Sequence, residues 1–132
     1  YTKFGTVRFG NVIESRGNVF EIWNEEVKNN KPLSITLPEM KRYFFHVDEA
    51  VNFILQCLPI AKTGETLVPK MKEYKILQLA NEISKKHKII GLRQGEKMEE
   101  VLISEEEMKM AEEEKNMWII NYFKYQNKNK KY

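Results

Sequence analysis

Cysteine is almost missing from this chain: Cys57 is the only one in 132 residues. No internal disulfide can therefore form, and no pair of thiolates can hold zinc. A lone thiol among Ile54, Leu55 and Leu58 reads as a small buried apolar side chain, and such sparing use fits a reducing cytoplasm. Histidine is nearly as scarce, with His46 and His87 alone, so no metal site is expected. No serine sits in the glycine-flanked elbow of a hydrolase or pairs with a histidine. Long hydrophobic runs are absent too: none approaches the length of a membrane span, and the N-terminus lacks the charged-then-apolar form of a signal peptide. A strong excess of one charge is also missing. The net charge is +3, carried mostly by the lysines of the closing NKNKKY. Without a basic stripe interleaved with aromatics, nucleic acid is not an expected partner.

What is present is the balance of a soluble globular domain, 42% hydrophobic and 31% charged, in a length that supports one core rather than two. Beginning at Tyr1 rather than Met, the chain reads as a fragment. VRFGNVIESRG, residues 7–17, opens with a buried strand from Thr6 to Val12 and continues into a polar turn. A buried parallel strand requires neighbours on both sides, yet little chain precedes this one. A helix follows from Val19 to about Lys28, with Val19, Ile22, Trp23 and Val27 at helical spacing and Asn18 as its cap. Pro32 prevents its resumption. Leu33 to Thr36 reads as a strand and Pro38 to Arg42 as a loop.

Val47, Ala50, Val51, Ile54, Leu55 and Leu58 form one apolar stripe of a second helix. Asp48 and Glu49 suit its N-terminal dipole, and His46 is placed to cap it. Further strands are expected at Glu65 to Val68, Ile89 to Leu92 and Met117 to Ile120. Ile76, Leu79, Ala80 and Ile83 mark a helix between the first two. Ser104 and Glu107 make a capping box, and the acidic runs Glu105–Glu107 and Glu112–Glu114 read as a solvated helical face. The tail after Tyr125 is expected to be disordered. Alternating strands and helices indicate an α/β or α+β domain with no linker-like internal boundary.

The polar residues placed to act lie at the ends of these elements. Asn11 follows the first strand directly, where ligands of open α/β sheets bind, although an asparagine there also simply tolerates a turn. Arg42 lies in MKRYF, and Arg93 and Glu96 lie in LRQGEK. Arginine's fixed fork of donors suits a pyrophosphate, while each of these residues taken singly also reads as solvated surface. Trp23 and Trp118 fall on apolar faces and read as core.

VRFGNVIESRGNV, PLSITLPEMKRYFFHVDEAVNFIL, GETLVPKM and KIIGLRQGEKMEEVLISEEE, in that order, resemble the extended short-chain dehydrogenase/reductases. More narrowly they resemble the UDP-N-acetylglucosamine 4,6-dehydratases of the CapD-like polysaccharide-biosynthesis group, over the chain up to about Ile120. The resemblance implies the C-terminal portion of such an α/β enzyme. Residues 1–17 would close a Rossmann domain, 18–120 would form a small substrate-binding domain, and 121–132 would be a basic tail. The neighbours of the first strand would then belong to an absent N-terminal half, which would also hold most of the NADP. By resemblance, Asn11, Arg42, Arg93 and Glu96 contact the UDP-sugar, and Val12, Ile13, Ser15 and Arg16 pass the nicotinamide end of the cofactor. The intact enzyme would act in surface-glycan or flagellin-sugar synthesis as a homo-oligomer.

The family's glycine-rich turn and Y-x-x-x-K pair are not found in this sequence, so the chain alone should not catalyse. It departs from the family pattern at Glu14, where a small residue is usual, at Glu21 and at Lys41. It departs again at Gln94, which replaces the proline of R-P-G-E-K, and at Glu99. The alternative function is a free-standing, non-catalytic module that binds nucleotide sugar or a partner protein. A small nucleic-acid binder resting on the lysine tail ranks last.

Overall fold

A computed structural model describes residues 1–128. In chain order its elements are β1 (Thr6–Val7), β2 (Asn11–Val12), α1 (Val19–Lys28), β3 (Leu33–Ile35), β4 (Lys41–Phe45), α2 (Val47–Cys57), β5 (Glu65–Pro69), β6 (Glu73–Lys75), α3 (Ile76–Ile83), β7 (His87–Ile89), α4 (Glu105–Met108), β8 (Ala111–Glu113), β9 (Met117–Asn121) and α5 (Tyr122–Lys128). They form a mixed α/β fold that divides into two compact units interleaved along the chain. One comprises residues 1–9, 48–71 and the described part of 101–132, and the other comprises 10–47 and 72–100. The first turn, residues 13–17, and α1 belong to the same unit.

The single opening strand expected from Thr6 to Val12 is in fact two. β1 pairs in parallel with β5, Thr6 opposite Thr66 and Val7 opposite Leu67. β2 pairs in parallel with β4, Asn11 opposite Phe44 and Val12 opposite Phe45. The chain thus supplies a neighbour for β1 itself, on one side. Gly10, just before β2, is required by space: a Cβ there would lie 2.7 Å from the Tyr43 carbonyl oxygen.

In the unit that begins with β1, the sheet order is β1-β5-β9-β8. Leu67, Val68, Met117 and Ile120 are buried, as are Ala50, Phe53 and Cys57 of α2. That burial corrects the expected stripe. Val51, Ile54, Leu55 and Leu58 are 48%, 40%, 57% and 69% exposed, because α2 has apolar residues on two faces and the i, i+3, i+7 set at 50, 53 and 57 goes inward. The acidic run at 112–114 is also not helical. Ala111, Glu112 and Glu113 pair with Ile120, Ile119 and Trp118, a case of cross-strand packing overriding local preference. The capping box forms as expected, with Ser104 Oγ accepting from Glu107 N–H, but α4 is a single turn. The chain continues past Ile120 into helix α5, and residues 129–132 of the expected disordered tail lie outside the described residues.

The other unit holds a three-stranded sheet, β2-β4-β6, and a parallel pair, β3-β7. Its α1 has the expected limits, and Asn18 Oδ1 accepts from Glu21 N–H. The core is Trp23, Leu33, Ile35, Met40, Phe44, Ile76 and Ala80. Phe20 meets Trp23 and Phe44 edge-on, at centroid distances of 5.7 and 5.4 Å. Two strands occupy expected loop: β4, whose Arg42 pairs with Tyr74, and its antiparallel partner β6.

Candidate functional site

Within this second unit, β2, β4 and the end of β3 surround a cavity of ≈ 200 Å³. Met40, Phe44 and Ile76 form its apolar floor, and Asn11, Ser34, Thr36, Arg42 and Glu96 line it with polar groups. Asn11, Arg42 and Glu96, far apart in sequence, therefore meet at one cavity. Arg93 does not line it; that side chain is exposed. Ser34 and Thr36 are lining residues that sequence reasoning missed. Their signal was the alternation of PLSIT, which sends Leu33 and Ile35 into the core and the hydroxyls to the opposite side.

Each polar group is oriented by its surroundings. Asn11 Nδ2 donates to Tyr43 O at 3.3 Å and to Glu100 Oε2 at 3.1 Å. Arg42, with a side chain only 11% exposed, donates through Nη1 to Lys41 O and Met98 O and through Nη2 to Lys97 O, at 2.8, 3.1 and 2.6 Å. Its Nε lies 3.7 Å from Glu100 Oε1. Glu96 closes the polar loop on itself: Oε2 accepts from Arg93 N–H at 3.2 Å, and Oε1 accepts from Thr36 Oγ1 at 3.5 Å. Gly95, at φ +80°, permits that turn. Ser34 is clamped by α1, with Glu26 accepting from both its backbone N–H and its hydroxyl and Trp23 Nε1 donating to its carbonyl at 2.8 Å.

The turn after β2 borders a separate hollow of ≈ 340 Å³, lined in part by Ile13, Ser15 and Arg16. Val12 does not line it. The backbone of this turn is already engaged. Ser15 N–H donates to Val12 O at 3.1 Å, and Gly17 N–H donates to Glu21 Oε2 at 2.6 Å. Asn18 Nδ2 donates to the carbonyls of Ile13 and Ser15. The Ser15 and Gly17 amides are thus already used, unlike the amides that a glycine-rich turn presents to a pyrophosphate. Glu14 points to His46 and Val47. Oε1 lies 3.0 Å from His46 Nδ1, and Oε2 accepts from Val47 N–H at 2.8 Å. These two contacts, the histidine first, lower the Glu14 pKa. Glu14 thus satisfies the first amide of α2, Val47 N–H, with a charged acceptor.

The family described as Polysaccharide biosynthesis protein matches residues 1–122. This chain belongs to that family. It is 35% identical over 123 residues to the UDP-N-acetylglucosamine 4,6-dehydratase (inverting) of Campylobacter jejuni, covering 91% of this chain and 37% of the relative. It is 36% identical to a protein of Rickettsia bellii named UDP-glucose 4-epimerase, covering 94% of this chain and 40% of the relative. The solved structure of Pen from Bacillus thuringiensis matches with a TM-score of 0.83 and 34% identity, over 90% of this chain and 40% of that one. The chain spans about two fifths of the length of these proteins. Among the described residues no helix is long and apolar enough to cross a membrane, and no group of three or more His, Cys, Asp or Glu is placed to hold a metal.

Proposed function

We propose that this chain is the sugar-nucleotide-binding part of an NADP-dependent UDP-N-acetylglucosamine 4,6-dehydratase. The observation that carries this reading is the meeting of Asn11, Arg42 and Glu96 at one cavity. Arg42 offers a charged donor to a diphosphate. Asn11, whose Nδ2 is spent on Tyr43 O and Glu100, offers its Oδ1, with Glu96, Thr36 and Ser34, as partners to hydroxyl and amide groups beside it. Met40, Phe44 and Ile76 give an apolar surface against which a ring can lie. At ≈ 200 Å³ the cavity falls below the roughly 300–1,000 Å³ of a full small-molecule pocket, so it holds only part of such a substrate.

NADP would accept a hydride from the sugar and later return it. The residues of this chain do not fit its pyrophosphate, because the glycines are not spaced for it and the Ser15 and Gly17 amides of the 12–18 turn are occupied. We therefore assign the chain substrate binding alone, with Ile13, Ser15 and Arg16 as the edge nearest the nicotinamide. The acid–base and redox groups belong elsewhere in the working enzyme.

The relative named as an epimerase favours a second reading, inversion at C4 of a UDP-hexose. One experiment tests both. The intact gene product is incubated with NADP and UDP-N-acetylglucosamine or UDP-glucose, and the products are weighed by mass spectrometry and their C4 configuration read by NMR. A product lighter by one water supports the dehydratase, and a C4 epimer of unchanged mass supports the second reading. If both sugars return unaltered, both readings fail.

A further inference from the structure

Asn11 and Arg42 stand on different strands, and each side chain must be aimed before both can serve one ligand. Glu100 touches both. Its Oε2 accepts from Asn11 Nδ2 at 3.1 Å, and its Oε1 lies 3.7 Å from Arg42 Nε. The backbone explains how it arrives there. Glu99 forms a parallel bridge to Lys41, so the residue after Glu99 comes alongside the residue after Lys41, on the same side of the pleat. Lys97 and Met98, just before, accept from the other two nitrogens of the Arg42 guanidinium. The 97–100 segment thus grips Arg42 from Nε to Nη2, and its last member also fixes the Asn11 amide.

We propose that Glu100 is a positioning residue that sets Arg42 as a donor to the diphosphate and the Asn11 amide, whose Nδ2 hydrogens go to Tyr43 O and Glu100, as an acceptor beside it. This inference rests on the substrate-binding role given to the cavity above. A guanidinium and an amide held less firmly, by backbone carbonyls alone, would each lose more conformational freedom when a ligand orders them, which weakens binding. A carboxylate that orders both beforehand removes that cost. Its negative charge does not cancel the effect, because the pair is about a third exposed on the Glu100 side, at 37%, and screened there.

The test has two arms on the intact gene product. In the first, UDP is titrated calorimetrically into the wild type, E100A, R42A and the E100A/R42A double variant. The expected result is roughly tenfold weaker binding by E100A and a clearly smaller loss when Glu100 is removed from R42A, since only its action through Asn11 then remains. Additive losses would overturn the proposal in favour of a general structural role. Unchanged or tighter binding by E100A would overturn it as well, the latter marking Glu100 as a competitor of the ligand. In the second arm, ¹⁵N relaxation at Arg42 Nε and the Asn11 side-chain amide is compared in the ligand-free wild type and E100A. Loss of order at both in E100A supports positioning even where the wild type does not bind UDP, in which case the substrate reading fails and this one stands. Unaltered order at both groups overturns it.

Discussion

Gly10 shows how one missing side chain sets the site. Its Cα lies so close to β4 that a Cβ would meet both Tyr43 O and Tyr43 Cβ, at 2.7 and 2.8 Å. Gly10→Ala should therefore push β2 away from β4 and displace Asn11, costing about 1–3 kcal/mol as overpacking does. Denaturant unfolding of the pair checks this, and an unchanged midpoint would show that the strands tolerate the shift. A second residue governs acid stability. Burial disfavours the charge on Glu107, but hydrogen bonds from Tyr122, Arg8 and Ser104 outweigh it and hold the carboxyl at about 2, below its ordinary 4.5. Tyr122 Oη and Arg8 Nη1 each lie 2.7 Å from Oε2. A lowered pKa stabilises the fold above about 4.5 and withdraws that stability as pH falls towards 2. Glu107→Gln should cost about 1 kcal/mol at neutral pH, the low end for a charged contact whose arginine is partly exposed. The loss should shrink as pH falls through that window. A pH-independent difference in thermal unfolding would contradict this.

At the scale of elements, what the sequence revealed depended on how local the cause was. The limits of α1 and its Asn18 cap are written in neighbouring residues, and so is the Ser104–Glu107 box. β4 and β6 are not, because each exists through a partner distant in sequence, Arg42 opposite Tyr74. β8 pairs with the nearby β9, Glu112 opposite Ile119, against the helical preference of its glutamates. The face of α2 was misread for a related reason. Val51, Ile54 and Leu55 are as apolar as Ala50, Phe53 and Cys57, and only the sheet beneath decides which set turns inward. The same unit leaves β1 at the end of its sheet, paired to β5 alone. Unpaired strand edges template association, and the exposed side chains of α2 add apolar surface. The 132-residue chain on its own should therefore self-associate. Analytical ultracentrifugation over a range of concentrations measures this, and a monomer throughout would contradict it.

For the whole molecule, the family was legible because its motifs keep their order along the chain, and the candidate site was legible in part. Asn11, Arg42 and Glu96 carried enough chemical character to be chosen from sequence. Their meeting at one cavity depends on β2, β3 and β4 lying together, which residue spacing does not encode. Arg93 shows the limit of the same reasoning: it has the chemistry, yet its loop turns its neighbour Glu96 to the cavity and leaves the guanidinium outside. Ser34 and Thr36 were passed over because small hydroxyls in a strand give little signal. The 12–18 turn lay in the expected place, but its Ser15 amide is spent on the Val12 carbonyl and its Gly17 amide on Glu21. The central claim is that a diphosphate-linked sugar occupies the cavity between β2, β3 and β4. Hydrogen–deuterium exchange of the intact gene product, with and without UDP-N-acetylglucosamine, tests it most directly. The account predicts slowed exchange confined chiefly to residues 10–12, 33–36, 41–45 and 91–98. Slowing elsewhere with these segments unchanged would contradict it.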